Sequence, residues 1–264
     1  MITREVDTGL ICFRQIDHAL LAGRLAEHWG GHAPVLRPRD SVLYAIGHHD
    51  AGWADLDRRP VFDPATGAPR TYTTHGLDSA LLVADRSTRR VGRRDPYAGW
   101  LVGRHFLSFH ARSPGARPWV ESHKRRLEEL LARVRDRHEP ADMEPAIREA
   151  NLDWLQLLDA VSLALCQAWP VWDGRPMAAD YGGGKARYRY RTAGSGDLLV
   201  EGRLEPWPFA PAGLGDAVPA RLLEGRTWAD DAGLQWAWDA ARAVEVEIVL
   251  SRLPGPGAGG RLFW

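Results

Sequence analysis

The sequence predicts a mainly α-helical fold, a helical bundle followed by a smaller C-terminal α+β portion. Three observations lead there. Apolar residues recur at steps of three and four through most of the first 170 positions, which places them on one face of successive helices. After Pro170, proline, glycine and tryptophan become frequent and short β-type runs replace the helical period. With 45% apolar and 26% charged residues among 264, the chain can bury a sizeable core.

Taken in order, residues 1–14 alternate weakly, and Leu10, Ile11, Cys12 and Phe13 read as a strand. Over 15–29, His18, Leu21, Leu25 and Trp29 share a helix face, and Gly30 and Gly31 end it. Asp40 or Ser41 can cap a second helix that turns Val42, Ala45, Ile46 and His49 inward. Residues 54–73 hold Pro60, Pro64, Gly67 and Pro69 and read as an ordered loop.

A third helix is expected over about 77–87, and a fourth from Asp95 and Pro96, carrying Trp100, Leu101 and His105 inward. Residues 119–138 form a strongly charged helix with Leu127, Leu130, Leu131 and Val134 on one side. Residues 151–169 are apolar over much of the circumference and therefore central, with Asp159 among them. Strands follow over 186–191, 198–204 and 244–250, with a helix over 230–243. The predicted layout is a helical domain over 1–172 and an α+β extension over 173–264 packed on it, within reach of the N-terminal strand.

Composition excludes several classes. The 34 basic and 34 acidic side chains balance, so the chain lacks the charge footprint of a dedicated nucleic-acid binder. No apolar run reaches the roughly 18–20 residues that cross a bilayer, and Met1-Ile2-Thr3-Arg4-Glu5 is not a signal sequence. Cys12 and Cys166 lie in apolar stretches and make no disulfide scaffold. The expectation is a cytoplasmic protein with a small-molecule substrate and neither a nucleic-acid nor a membrane partner. Twelve tryptophans are many for this length, enough for several to wall a pocket. Gly182-Gly183-Gly184-Lys185 lacks the phosphate-loop spacing and reads as a turn.

The chemistry gathers on inward faces. His18, His49-Asp50 and Asp159 come from three separate helices. Burying an unpaired carboxylate costs several kcal/mol, and imidazole nitrogen with carboxylate oxygen is a donor set for a divalent cation. A second ion would need more ligands, for which His75, His105 and His110 are candidates. Asp55 and Asp57 either orient ligand imidazoles or cap the loop, and His123 reads as a surface residue.

These residues carry a resemblance. His18, then His49-Asp50, then Asp159 late in an apolar helix resembles the HD-domain superfamily of helical metalloproteins. The stretches Gln15-Ile16-Asp17-His18, His49-Asp50-Ala51-Gly52-Trp53 with Pro60, and Asp95-Pro96-Tyr97 with Arg104-His105 are similar to a bacterial family of unknown function allied to it. The similarity covers about residues 1–170. It implies a helical core holding one or two divalent ions, with Fe, Mn, Co, Ni and Mg all compatible. His18, His49, Asp50 and Asp159 match its four-ligand pattern; His75 and His105 match the extra ligands of dinuclear members, with His110 competing. Many members place Lys or His soon after the His-Asp pair, where this chain has Trp53.

What the resemblance implies for function is a metal-dependent hydrolase cleaving phosphomonoesters or phosphodiesters, with Asp50 orienting the ions and Arg104 stabilising charge. A dinuclear iron oxygenase is the alternative, because the missing Lys and the many tryptophans suit an apolar cavity. A non-catalytic metal-containing module is the third reading.

Overall fold

The computed structural model describes residues 1–30, 33–134 and 139–252. A β-hairpin, β1 (Ile2–Val6) and β2 (Gly9–Phe13), leads directly into α1 (Gln15–Glu27) and α2 (Arg39–His48). A 3-10 helix over Ala51–Arg58 and a small hairpin, β3 (Phe62–Asp63) and β4 (Ala68–Pro69), occupy the stretch expected to be loop. Then come α3 (Leu77–Arg94), α4 (Pro96–His110), α5 (Arg117–Val134) and α6 (Pro145–Gln167). The remainder is β5 (Val171–Ala178), β6 (Lys185–Ser195), β7 (Leu199–Glu205), β8 (Gly213–Glu224), α7 (Asp231–Ala240) and β9 (Arg242–Arg252).

The fold class is not the expected one. The chain is 48% helical and about 27% strand, an α/β fold rather than a mainly helical bundle. One sheet of seven strands runs β1-β2-β8-β9-β7-β6-β5, antiparallel except for the parallel pair β7 and β9. The N-terminal hairpin extends the sheet through β2 and β8, with Ile11 opposite Leu222. Strands β5 and β8 escaped the sequence pattern because Gly174, Pro176, Gly213, Gly215 and Pro219 break their alternation.

Helix α6 shows why its sequence is apolar nearly all round: it packs on α1, α2 and α4 on one side and on β1, β5, β6 and β7 on the other. Trp154, Leu155, Leu157, Leu158 and Val161 are all fully buried there. Burying a side chain of this size contributes about 1.5–3 kcal/mol. Helices α1 and α2 cross at Gly23 and Gly47, where a Cβ on Gly23 would lie 2.7 Å from the Cα of Gly47. That backbone approach draws together the two helices carrying His18 and His49.

Several local expectations change as well. The second helix has no side-chain cap: Pro38 precedes it and Ser41 Oγ donates to Asp95 instead, at 2.6 Å. Asp95 does cap α4, accepting from Ala98 N at 3.0 Å. Helix α3 runs seven residues past its expected end at 87, reaching Arg94. The expected end of α5 at His138 lies outside the described residues, as does Gly31, one of the two glycines expected to end the first helix. Gly182-Gly183-Gly184 is the turn between β5 and β6, with Gly184 N bonded to Asp180 at 3.0 Å.

Candidate metal centre

His18 projects from α1, His49 from the end of α2, Asp50 from the residue after it, His105 from α4 and Asp159 from α6. One ligand atom each of His18, His49 and Asp159 lies within 4.8 Å of the others. His49 Nε2 is 3.2 Å from Asp159 Oδ1, and His105 Nε2 is 3.6 Å from Asp159 Oδ2. His18 Nε2 is 2.9 Å from Asp50 Oδ2, which is 4.0 Å from His49 Nε2. The imidazoles are buried, while the Asp159 side chain keeps 13% of its surface exposed.

The hydrogen bonds behind the cluster decide which way the imidazole lone pairs point. His49 Nδ1 lies 2.8 Å from the Ile46 carbonyl, an acceptor only, so Nδ1 carries a proton and, in the neutral ring, Nε2 is the lone pair. That Nε2 is buried and has no hydrogen-bond partner. Ser162 Oγ donates to the Asp159 carbonyl at 2.8 Å, so its lone pair accepts from His18 Nδ1 at 3.1 Å. Hence His18 Nε2 also turns a lone pair toward a carboxylate, that of Asp50. Lone pair against carboxylate is repulsive unless a cation, proton or metal, lies between them. Among the described residues, no Lys or Arg forms an ion pair with Asp50 or Asp159. The donor set and its orphaned nitrogen fit a divalent ion.

Without a metal, the cation that answers these carboxylates is a proton on His49. Burial works against charge on His49, but Asp50 and Asp159 outweigh it and push the imidazole up to about 9. Burial raises Asp159, yet His49, His105 and His18 together hold its carboxyl far below the usual carboxylate range. Burial dominates at His105, whose imidazole falls to about 4 despite Asp159 and so stays neutral.

His18, Asp50, His105 and Asp159 line the floor of a cavity of about 500 Å³ that reaches the surface, with His49 buried outside its lining. Its wall is largely aromatic: Trp53, Tyr72, Phe106, Phe109, Trp169 and Trp172. Three of the twelve tryptophans thus wall a pocket. His110 lines the cavity, half-buried, its pKa lowered by burial.

Other expected residues lie elsewhere. His75 does not line the cavity; its ring stands 5.3 Å from that of Trp53. Arg104 is directed away, to Glu149 at 2.8 Å. Asp57 touches no imidazole: it pairs with the Met1 amino group at 2.8 Å and accepts from Gln15 N, tying the start of α1 to the 3-10 helix. Asp55 pairs with Arg90 at 2.9 Å. His123, expected at the surface, is buried; its place in line with Leu127, Leu130 and Val134 was the available signal. Ser162 and Arg175, a cavity residue from β5, carried no motif.

Fold and cluster define an α/β protein with a buried group that could hold a metal ion. Residues 1–225 match the model of the family described as protein of unknown function (DUF3891), and the chain belongs to that family. The description names neither an activity nor an HD domain. The match includes every described element through β8, so α7 and β9 lie beyond it. No curated protein and no solved structure matches the chain. Among the described residues, no helix is long and apolar enough to cross a membrane.

Proposed function

We propose that this chain is a metal-dependent hydrolase of the HD type, acting on a phosphomonoester or phosphodiester. His18, His49 and Asp159 would hold the ion, with Asp50 beside them and His105 as a further ligand. The observation that supports this most is the pair of imidazole Nε2 atoms, of His18 and His49, facing the carboxylates of Asp50 and Asp159, both of which line an open cavity. A divalent ion bound there supplies Lewis acidity, polarising the scissile bond and lowering the pKa of an attacking water.

The remaining work falls to the chain's own groups. Ser162 and the Ile46 carbonyl fix the tautomers of His18 and His49. Asp50 balances the charge brought to the floor. Neutral His105 offers an unprotonated nitrogen beside Asp159. The aromatic wall excludes water from the body of a bound substrate. A floor accessible from an open cavity favours catalysis over a closed structural site.

The test uses protein loaded with Mn²⁺, Co²⁺ or Ni²⁺ and bis-p-nitrophenyl phosphate or nucleoside monophosphates. Metal-dependent cleavage should appear and be lost in His49→Ala and Asp159→Ala. Cleavage indifferent to both changes would overturn the reading. The apolar wall favours a second reading, the dinuclear iron oxygenase. Two irons per chain and O₂ consumption would support it, although His75, its extra ligand, does not line the cavity.

A further inference from the structure

Beside the metal cavity lies a second cavity of about 440 Å³, and Phe109, Gln156 and Arg175 line both. The two differ in character. The first is aromatic; the second is polar, with Ser108, Glu149, Asp153 and Lys185. Arg175 stands where they meet, and it is the only Lys or Arg among the described residues lining the metal cavity.

Its placement is built. The β5–β6 pairing shifts register between Asp173 and Pro176, and this bulge re-aims the side chain of Arg175. The guanidinium is then held by Asp153 and by Gln156 Oε1 at 2.7 Å, with Nη1 on the Pro176 carbonyl at 3.2 Å. Asp153 is itself nearly buried and anchored by Ala178 N at 2.8 Å. Three donors are engaged on these partners, so part of the five-donor fork stays open to the cavity.

Charge bookkeeping leaves a surplus. Glu149 is taken by Arg104 at 2.8 Å, and Asp173, on the rim, by Arg189 at 2.7 Å. Arg175 and Lys185 share one acid, Asp153, with Lys185 Nζ 3.3 Å from it. Two cations on one carboxylate leave one positive charge for an anionic ligand at the junction, well suited to an oxyanion group. An anion nearer the floor would meet Asp50 and Asp159.

We propose that the paired cavities bind an amphiphilic small molecule: an apolar body of aromatic size against the wall, and a terminal oxyanion group on Arg175, with Lys185 beside it. As a statement about substrate this rests on the metal cavity being the reaction site, and it adds the class of molecule presented there. Carboxylate, sulfonate and phosphate share the required chemistry.

Calorimetry on the full chain tests it with 2-naphthalenesulfonate, a poor metal ligand, against neutral 2-(methylsulfonyl)naphthalene. The sulfonate should bind about tenfold more tightly, as expected for a charged hydrogen bond in a half-exposed site. Arg175→Gln should erase that preference while neutral-probe affinity and metal content stay unchanged; Arg175→Lys should retain part of it. Asp153 keeps Ala178 N and Lys185 in either variant, so the hairpin remains supported. No preference in the wild type, or an equal preference in Arg175→Gln, would overturn the inference. The measurement is repeated on His49→Ala, where the preference should survive the loss of the ion. A wild-type chain that binds no metal yet keeps its Arg175-dependent preference sinks the hydrolase and leaves the anion site standing; a metal-loaded wild type without the preference does the reverse. Titrating benzoate and phenyl phosphate then separates carboxylate from phosphate ligands.

Discussion

Two His–Asp groups sit among these helices with opposite surroundings. On α3 and α5, Asp85 receives Arg126 at 2.7 Å, the Trp119 indole N–H at 3.2 Å and His123 Nδ1 at 3.4 Å. His123 Nε2 completes the set against the Gly103 carbonyl, 3.1 Å away. Burial works against charge on Asp85, but His123 and Arg126 outweigh it and its pKa falls below the usual value. Around Asp159 the same residue types converge without an ion pair to arginine or lysine among the described residues, and a buried imidazole nitrogen goes unpartnered. A carboxylate supplied with its own cation is a structural brace. One that faces lone pairs asks for a cation from outside.

That contrast can be broken by substitution. The largest effect is expected at the Asp159 group: His49→Ala or Asp159→Ala should weaken metal retention by more than about 100-fold, the upper range for changes one layer further out. Equilibrium dialysis reads this directly. His123→Ala should leave metal content intact and lower stability by about 2 kcal/mol, since it strands a buried carbonyl and removes a partner of Asp85. Urea denaturation of the metal-loaded protein checks it. Metal loss in His123→Ala would show that the two groups are not separate.

A smaller effect sharpens the geometry. Gly23→Ala should push α1 off α2, costing about 1–3 kcal/mol and loosening metal retention with it, because the crossing sets the His18 to His49 approach. Smallest is Asp85→Asn, about 1 kcal/mol at pH 7 after solvent screening. The folded pKa of Asp85 is depressed, so its contribution is full above the ordinary carboxylate pKa and disappears as pH falls through the folded value. The stabilities of wild type and Asp85→Asn should therefore begin to approach each other only below about pH 4 and meet below the folded pKa of Asp85, measured by denaturation across pH.

The same comparison explains what the sequence could reveal. His18, His49 and Asp159 stood out because they are polar residues on helix faces that are otherwise apolar. His123 shares that property with Leu127 and Leu130, yet the surrounding charges of α5 masked it. Nothing in the sequence separates the braced group from the unbraced one, since Arg126 and Trp119 reach Asp85 from another helix. The sheet was underestimated for a different reason. Strands β5 and β8 carry prolines and glycines, and β2 finds its second partner, β8, more than 200 residues away. Arg175 depends on a bulge, which one strand's pattern does not encode.

The central claim is that the His18, His49 and Asp159 group holds a divalent ion. Elemental analysis of the full chain, purified without added metal and again after reconstitution, tests it most directly. One divalent ion per chain in the wild type, absent from His49→Ala and Asp159→Ala but present in His123→Ala, is the predicted result. A wild-type chain that takes up no ion, or variants that keep it, would contradict the account.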